Sequence, residues 1–273
     1  MTTGSLELPL HWEAHGEAGP PVLLLHGFGT NGHTWNHWVG PLARRHRVLV
    51  VEMKGFGDAP KPRDGAYAPT DQAALLYNFI LQKRLDRLTL VGHSLGGTVV
   101  LLTALRLMEE DRDRLSRVVV VAGAAYPQPI SPFIRLAGTP ILGPLALRLL
   151  PSRFVVRKAL RLAYRRPEDV RETRVEAYAE PLRQPGGQYA LSRTARGLRI
   201  PEPEEIIAGY ARLRVPTLLL WGDQDPIVPL WVGERLSRDL PDARLEILDE
   251  CGHMPQEEHP RDSLEKVLAF LEG

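Results

Sequence analysis

The sequence predicts an α/β fold with a mostly parallel, doubly wound sheet, and three observations carry that reading. Six short runs (22–25, 48–51, 88–91, 118–121, 217–221 and 245–248) are rich in Val and Leu and end in Gly or a polar turn. Runs of that length and composition suit parallel strands buried on both faces. Helical patterns fill several of the gaps, and strands alternating with helices argue against a bundle or a sandwich. The alternation then breaks once, across about a hundred residues between the runs at 118–121 and 217–221.

The elements follow in order. Leu6, Leu8, Leu10 and Trp12 alternate with polar or small residues, the pattern of a half-buried strand near a sheet edge. The runs at 22–25 and 48–51 come next. Residues 71–83 place apolar side chains at 75, 76, 79 and 80, a helical stripe. The run at 88–91 precedes a helix at 96–108 that is apolar nearly all round, and residues 263–271 form a closing helix. The long interval after 118–121 is helical in pattern and rich in Pro, Arg and Leu. A structureless loop of that size does not fit a compact domain. It therefore reads as an inserted helical cap at 126–210, with a core formed by 1–125 and 211–273.

Composition narrows the partners. The chain has 273 residues, 34 basic and 33 acidic, a formal charge of +1. No global field points to nucleic acid or to a stable membrane association. The balance is a cancellation, since 126–210 holds 13 Arg and Lys158 against eight acidic residues, a formal +6, leaving −5 elsewhere. Arg outnumbers Lys 29 to 5 and there are three Asn, a bias that fits heat stability and GC-rich coding equally well. A lone cysteine, Cys251, excludes an intramolecular disulfide and a multi-Cys metal site. Residues 1–10 lack the basic stretch and long apolar run of a signal peptide. The most apolar stretch, 130–150, is broken by Arg135, Pro140, Pro144 and Arg148, unlike a spanning helix. A cytoplasmic chain, monomeric or homodimeric, is expected.

The chemistry centres on Gly92-His93-Ser94-Leu95-Gly96, a G-x-S-x-G sequence between an apolar strand and an apolar helix. Small residues on either side permit a tight turn that lifts the Ser94 hydroxyl clear of the sheet and aims the following helix N-terminus at it. A serine nucleophile needs a base. Of nine histidines, His253 lies in the loop after the run at 245–248, where open α/β sheets place functional groups. His259 is the competitor, but Glu257, Glu258 and Pro260 around it suggest the start of the last helix. The base in turn needs an orienting carboxylate, and Asp223 and Asp225 after the run at 217–221 both qualify by position. Asp and Glu are absent from 118–167, so the strand at 118–121 does not supply the acid. The glycine-flanked turn His26-Gly27-Phe28-Gly29 can turn backbone N–H groups inward. The Phe28 and Leu95 N–H groups are the expected oxyanion donors, with His26 hydrogen-bonded beneath the loop.

Taken together, Ser94, the Asp223/Asp225 loop, His253 and the His26-Gly27-Phe28-Gly29 turn resemble the α/β-hydrolase fold superfamily over nearly the whole chain, as do Gly55-Phe56-Gly57-Asp58 and Trp221-Gly222-Asp223-Gln224-Asp225-Pro226. The resemblance implies that the second Asp, Asp225, is the triad acid, and that a helical cap follows the sixth strand. Glu52 and Lys54 depart from the Asp and Arg usual in relatives, at positions that support a loop. Dehalogenases and epoxide hydrolases of this fold carry Asp where Ser94 stands. Prolyl aminopeptidases usually have Trp at the Leu95 position, and many carbon–carbon hydrolases have Trp at the Met254 position. The resemblance therefore implies a carboxylesterase-like serine hydrolase without cofactor or metal, acting on a small-molecule ester. Carbon–carbon hydrolase, perhydrolase and thioesterase chemistry share the machinery, and some members of the fold only bind ligands.

Gly27, His93, Met254, Phe133 and Leu142 are the expected substrate contacts, the last two within a set of apolar cap residues (Pro132, Phe133, Ile134, Leu136, Ile141, Leu142, Leu145 and Leu149) that could roof an acyl pocket. Arg153, Arg157, Arg161 and Arg165 recur every four residues on one helical face. That face reads as solvated, with an anionic lipid surface as the alternative. His33 and His37 lack a suitable third zinc ligand, and Cys251 reads as packing beneath the His253 loop.

Overall fold

The computed structural model describes residues 2–5 as backbone and residues 8–200 and 202–273 in full. Eight strands form one sheet: β1 (Thr2–Ser5), β2 (His11–His15), β3 (Pro21–Leu25), β4 (Arg47–Glu52), β5 (Leu88–His93), β6 (Leu115–Val121), β7 (Thr217–Gly222) and β8 (Ala243–Leu248). Their order is β1-β2-β4-β3-β5-β6-β7-β8. The β1–β2 and β2–β4 pairs are antiparallel and every other pair is parallel. The mostly parallel α/β sheet predicted from the sequence is thus the observed one.

The continuous apolar runs are explained by burial on both faces. Val22, Leu24, Val48, Val50, Val119 and Val121 point to one side, where they meet Trp35, Trp38, Leu264 and Val267. Those partners belong to the 3-10 turn Gly32–Trp35 and to helices α1 (Asn36–Leu42) and α12 (Pro260–Glu272). Leu23, Leu25, Leu49, Val51, Val118 and Val120 point to the other side. There they meet α2 (Pro69–Gln82), α3 (Leu95–Glu110) and α10 (Leu230–Asp239). A two-residue side-chain period with cover on each face requires apolar residues at every position.

Two edges differ from expectation. The alternation at Leu8, Leu10 and Trp12 does not form one strand: Leu8 and Pro9 bend and β2 starts at His11, while Leu6 lies outside the described residues. Pro9 has no N–H to give to a ladder and fixes its own φ. At the other edge, β8 pairs among the described residues only with β7 and leaves Ile247 exposed, so that run is not buried on both faces.

Among the described residues six α-helices separate β6 from β7: α4 (Pro132–Ala137), α5 (Leu142–Leu149), α6 (Ser152–Ala163), α7 (Glu172–Arg183), α8 (Gly187–Gly197) and α9 (Pro203–Tyr210). Their buried side chains, among them Val156, Leu160, Val175 and Tyr178, join the same apolar cluster as α2 and α3. Arg153 and Arg157 on α6 pair with Glu172 on α7, and Arg153 also with Glu176. Half of the arginine stripe therefore ties two helices together. No helix among the described residues is long and apolar enough to cross a membrane. After β8, the short helix α11 (Pro255–Glu258) leads into α12.

Candidate active site

The sheet is wound in both directions from β3, which pairs with β4 on one side and β5 on the other. A crevice opens at such a reversal, outside the carboxyl ends of the strands. Ser94 stands at the end of β5 with φ 53° and ψ −117°, a backbone conformation that costs a non-glycine residue about 1–3 kcal/mol. Its N–H donates to the Val121 carbonyl at 2.9 Å, and its own carbonyl accepts from Gly97 and Thr98 at 2.9 and 3.2 Å. Gly92 and Gly96 make the turn sterically possible. A Cβ on Gly92 would lie 2.3 Å from the Gly96 carbonyl oxygen, and one on Gly96 2.3 Å from that of His26.

The structure brings Ser94, His253 and Asp225 together. His253 Nε2 is 2.8 Å from Ser94 Oγ, and His253 Nδ1 is 2.7 Å from Asp225 Oδ2. With the ring proton on Nδ1 donated to the carboxylate, the Nε2 lone pair faces the serine hydroxyl. Asp225 Oδ1 accepts the Ile227 and Val228 N–H groups, each at 2.8 Å, which fixes the carboxylate. All three residues are buried. Asp223 turns away and accepts the Cys251 N–H at 3.1 Å. His259 caps the N-terminus of α12 and faces Glu250 and Asp262. Cys251 is buried, and desolvation raises its thiol pKa, so it is a packed thiol and not a second nucleophile.

The 26–30 turn lies against the serine. His26 is fully buried, donating from Nδ1 to the Gly27 carbonyl at 2.8 Å and accepting the Met53 N–H at Nε2 at 3.1 Å. A neutral ring satisfies both contacts, and burial lowers its pKa to about 4. Among the described residues no hydrogen bond uses the Phe28 N–H. The Leu95 N–H opens α3, where the first turn lacks intrahelical partners. Glu52 accepts the Gly32 and Asp58 N–H groups at 2.9 and 2.7 Å, and Lys54 binds Asp64 and the Ala66 carbonyl. Both departures from the usual residues therefore brace loops. Glu52 also lies with His11 and Asp58 in a group whose spacing could suit a metal ion, but both its oxygens already accept backbone donors. His33 and His37 do not belong to that group.

Beside Ser94 is a cavity of about 100 Å3, lined by Phe28, Thr30, His93, Phe133, Ile134, Val155, Val156, Tyr178, Leu182, Leu191, Ile227 and Met254, among others. No Arg or Lys lines it among the described residues. Phe133, His93 and Met254 line this cavity. Gly27 and Leu142 do not. A Cβ on Gly27 would come within 2.8 Å of His93 Nδ1 and 3.1 Å of Ser94 Cβ, so Gly27 provides clearance beneath the site. Leu142 faces solvent, as do Pro132, Leu136, Ile141, Leu145 and Leu149. The inward side of α5 belongs instead to Gly143 and Leu147. His93 has a further role: its Nε2 donates to the His253 carbonyl at 2.8 Å. Burial, and then the nearby His253 ring, hold its pKa well below the usual histidine value.

Sequence reasoning missed the residues that tie the insertion to the histidine loop. The His253 N–H donates to the Ala163 carbonyl at the end of α6, at 2.8 Å. Glu258 accepts the N–H groups of Arg165, Gly252 and Met254 at 2.7, 3.1 and 2.9 Å, and desolvation raises its pKa. Next to it, the fully enclosed Glu257 accepts hydroxyls from Thr34 (2.7 Å), Tyr164 (2.5 Å) and Tyr178, and pairs with Arg174 at 3.1 Å. In sequence, two glutamates after a proline look like an ordinary first helical turn, and partners some 80 to 220 residues away leave no local signal.

The alpha/beta hydrolase family model matches residues 22–266, and the chain belongs to that family. A 2-hydroxy-6-oxononadienedioate/2-hydroxy-6-oxononatrienedioate hydrolase from a Pseudomonas species is 28% identical over 287 residues, covering 99% of this chain and 94% of the relative. The pimeloyl-[acyl-carrier protein] methyl ester esterase of Vibrio campbellii is 28% identical over 253 residues, covering 90% and 92%. Among solved structures, an alpha/beta hydrolase fold protein from Burkholderia ambifaria superposes with a TM-score of 0.83 at 27% identity, covering 95% of this chain and 93% of its own.

Proposed function

We propose that this chain is a serine hydrolase of carboxylic esters with uncharged, apolar acyl groups of short to medium length. The observation that carries the reading is the Ser94–His253–Asp225 relay at the edge of a cavity without a cationic side chain. Ser94 Oγ attacks the ester carbonyl carbon while His253 Nε2 takes the hydroxyl proton. The resulting oxyanion accepts hydrogen bonds from the Phe28 and Leu95 N–H groups. Collapse breaks the bond to the alcohol, which leaves with the proton from His253. Water then attacks the acyl-enzyme with His253 again as base, releasing the carboxylic acid and restoring Ser94. Asp225 holds the imidazole orientation and stabilises the imidazolium.

The carbon–carbon reading receives less support. A dioate, the substrate class in the name of the Pseudomonas relative, carries two carboxylates, and buried carboxylates need paired or hydrogen-bonding partners. The lining offers none of the arginines or lysines that would pair with them. The deciding experiment is a panel of p-nitrophenyl esters of increasing acyl length run beside a 2-hydroxy-6-oxo-dienedioate. Ester turnover with a maximum at short or medium chains, lost in Ser94→Ala, is expected. Faster cleavage of the dioate, or full esterase activity in Ser94→Ala, would sink the proposal. The localisation that fits such an enzyme is the cytoplasm.

A further inference from the structure

We infer that the outer face of α4 and α5 docks on an anionic lipid surface. Helix α5 turns Leu142, Leu145 and Leu149 outward, positions three and four residues apart that form one stripe, while Gly143 and Leu147 face inward. Ile141 is 77% exposed, Leu149 71%, Leu142 59% and Leu145 48%. Leu136 on α4 and Phe154 at the start of α6 extend the exposed set. Seven of the ten exposed large apolar residues among the described ones fall between 136 and 154. A monomeric soluble protein rarely leaves apolar residues grouped in this way without a partner.

Charge selects the occupant. The segment 118–167 carries no Asp or Glu, so α4 and α5, which bear most of the apolar face, contribute only basic charges beside it. Arg135 and Arg148 lie on α4 and α5 and have no ion-pair partner among the described residues, unlike Arg153 and Arg157, which are taken up by Glu172 and Glu176. An isologous contact with a second copy would bring these unpaired arginines together, and like charges oppose it. An anionic bilayer matches both features, accepting the leucines at its acyl boundary and the guanidinium groups at its headgroups. Helix α4 also walls the cavity, since Phe133 and Ile134 line it three and two residues before Leu136. Docking would therefore hold the acyl cavity against the phase in which an apolar ester concentrates. The docking does not depend on the ester reading.

The test is flotation of the full chain with vesicles of phosphatidylcholine, with and without phosphatidylglycerol. The wild-type chain is expected to float with the anionic vesicles, less so as salt rises, and to stay behind with neutral ones. Ile141→Ser/Leu145→Ser/Leu149→Ser should lower binding about ten-fold through lost apolar burial, and Arg135→Gln/Arg148→Gln about ten-fold through lost headgroup attraction. These side chains lie outside the cavity, so turnover of a soluble p-nitrophenyl ester should stay within about two-fold, as for surface changes generally. That turnover reads folding separately from docking, and flotation needs no catalysis. A wild-type chain that floats with neither vesicle, one that floats equally with both, or a triple variant that floats like wild type overturns the inference. So does a wild-type dimer that the triple variant converts to monomer without any lipid binding.

Discussion

The floor and the roof of the cavity are built on different principles. The floor is made of loops at the ends of β3, β5, β7 and β8, and its geometry is set by the backbone. Ser94 sits in a strained turn, glycines at 27, 92 and 96 leave clearances that no Cβ would fit, and His26, His93 and Asp225 are each fixed by main-chain partners. The roof, formed by α4 to α8, presents side-chain volume to the cavity and apolar surface to the outside. The two meet where Glu257, Glu258 and the His253 N–H bind α6 and α7. A change in the floor should alter chemistry, one in the roof should alter binding, and one at the seam should alter stability.

That division can be broken in order of expected effect. Asp225→Asn should lower kcat on a preferred ester by about 10^3–10^4, because the imidazole loses its orienting acceptor. Asp223→Asn should cost less than about ten-fold, since Asp223 accepts from the Cys251 N–H and the Gln224 amide and not from the imidazole. Equal losses would show that the wrong carboxylate was chosen.

At the seam, Glu257→Gln should destabilise the fold by about 3–5 kcal/mol, because it leaves Arg174 without its carboxylate in a largely enclosed site. Urea unfolding reads this directly. A loss below about 1 kcal/mol would put the network among exposed pairs of little worth.

In the floor, His26 predicts a pH dependence of stability. Its folded pKa of about 4 lies below the unfolded 6.5, so the unfolded chain binds the extra proton first as pH falls. The contribution is complete above pH 6.5 and is lost on descent to about 4, a change of about 3 kcal/mol. Denaturation midpoints of wild type and His26→Asn over that range should converge towards the acid end. Parallel curves would mean that His26 does not titrate as a buried neutral ring.

The roof carries the smallest effects. Phe133→Ala should raise KM for a medium-chain ester about ten-fold with kcat little changed, the signature of lost uniform binding. Leu142→Ala should change neither KM nor stability by more than about 0.5 kcal/mol, because its side chain faces solvent. A Leu142 effect matching that of Phe133 would place α5 over the substrate.

Much of the floor was legible in the sequence because its signals are local. A two-residue period with cover on both faces demands unbroken Val and Leu, and a tight strand-to-helix turn demands glycines around Ser94. The sites of Phe28 and Met254 follow from adjacency to such turns. The roof was legible only as helical composition. Phe133 and Leu142 are both apolar residues on short helices in the same segment, and nothing local says which turns inward. That depends on how the packing of α4 and α5 against the rest of the molecule sets their rotation.

The sequence by itself determined which runs become strands, the turn that holds Ser94 and the loops that carry Asp225 and His253, because each rests on patterns of residues close along the chain. Position along the chain left Asp223 and Asp225 equal and the family resemblance favoured Asp225, whereas tertiary structure alone decided that Glu257 and Glu258 fasten α6 and α7 to the histidine loop. It alone decided, too, that a run of leucines in α5 faces outward. Those outcomes depend on distances between segments up to two hundred residues apart, fixed by which buried faces fit together.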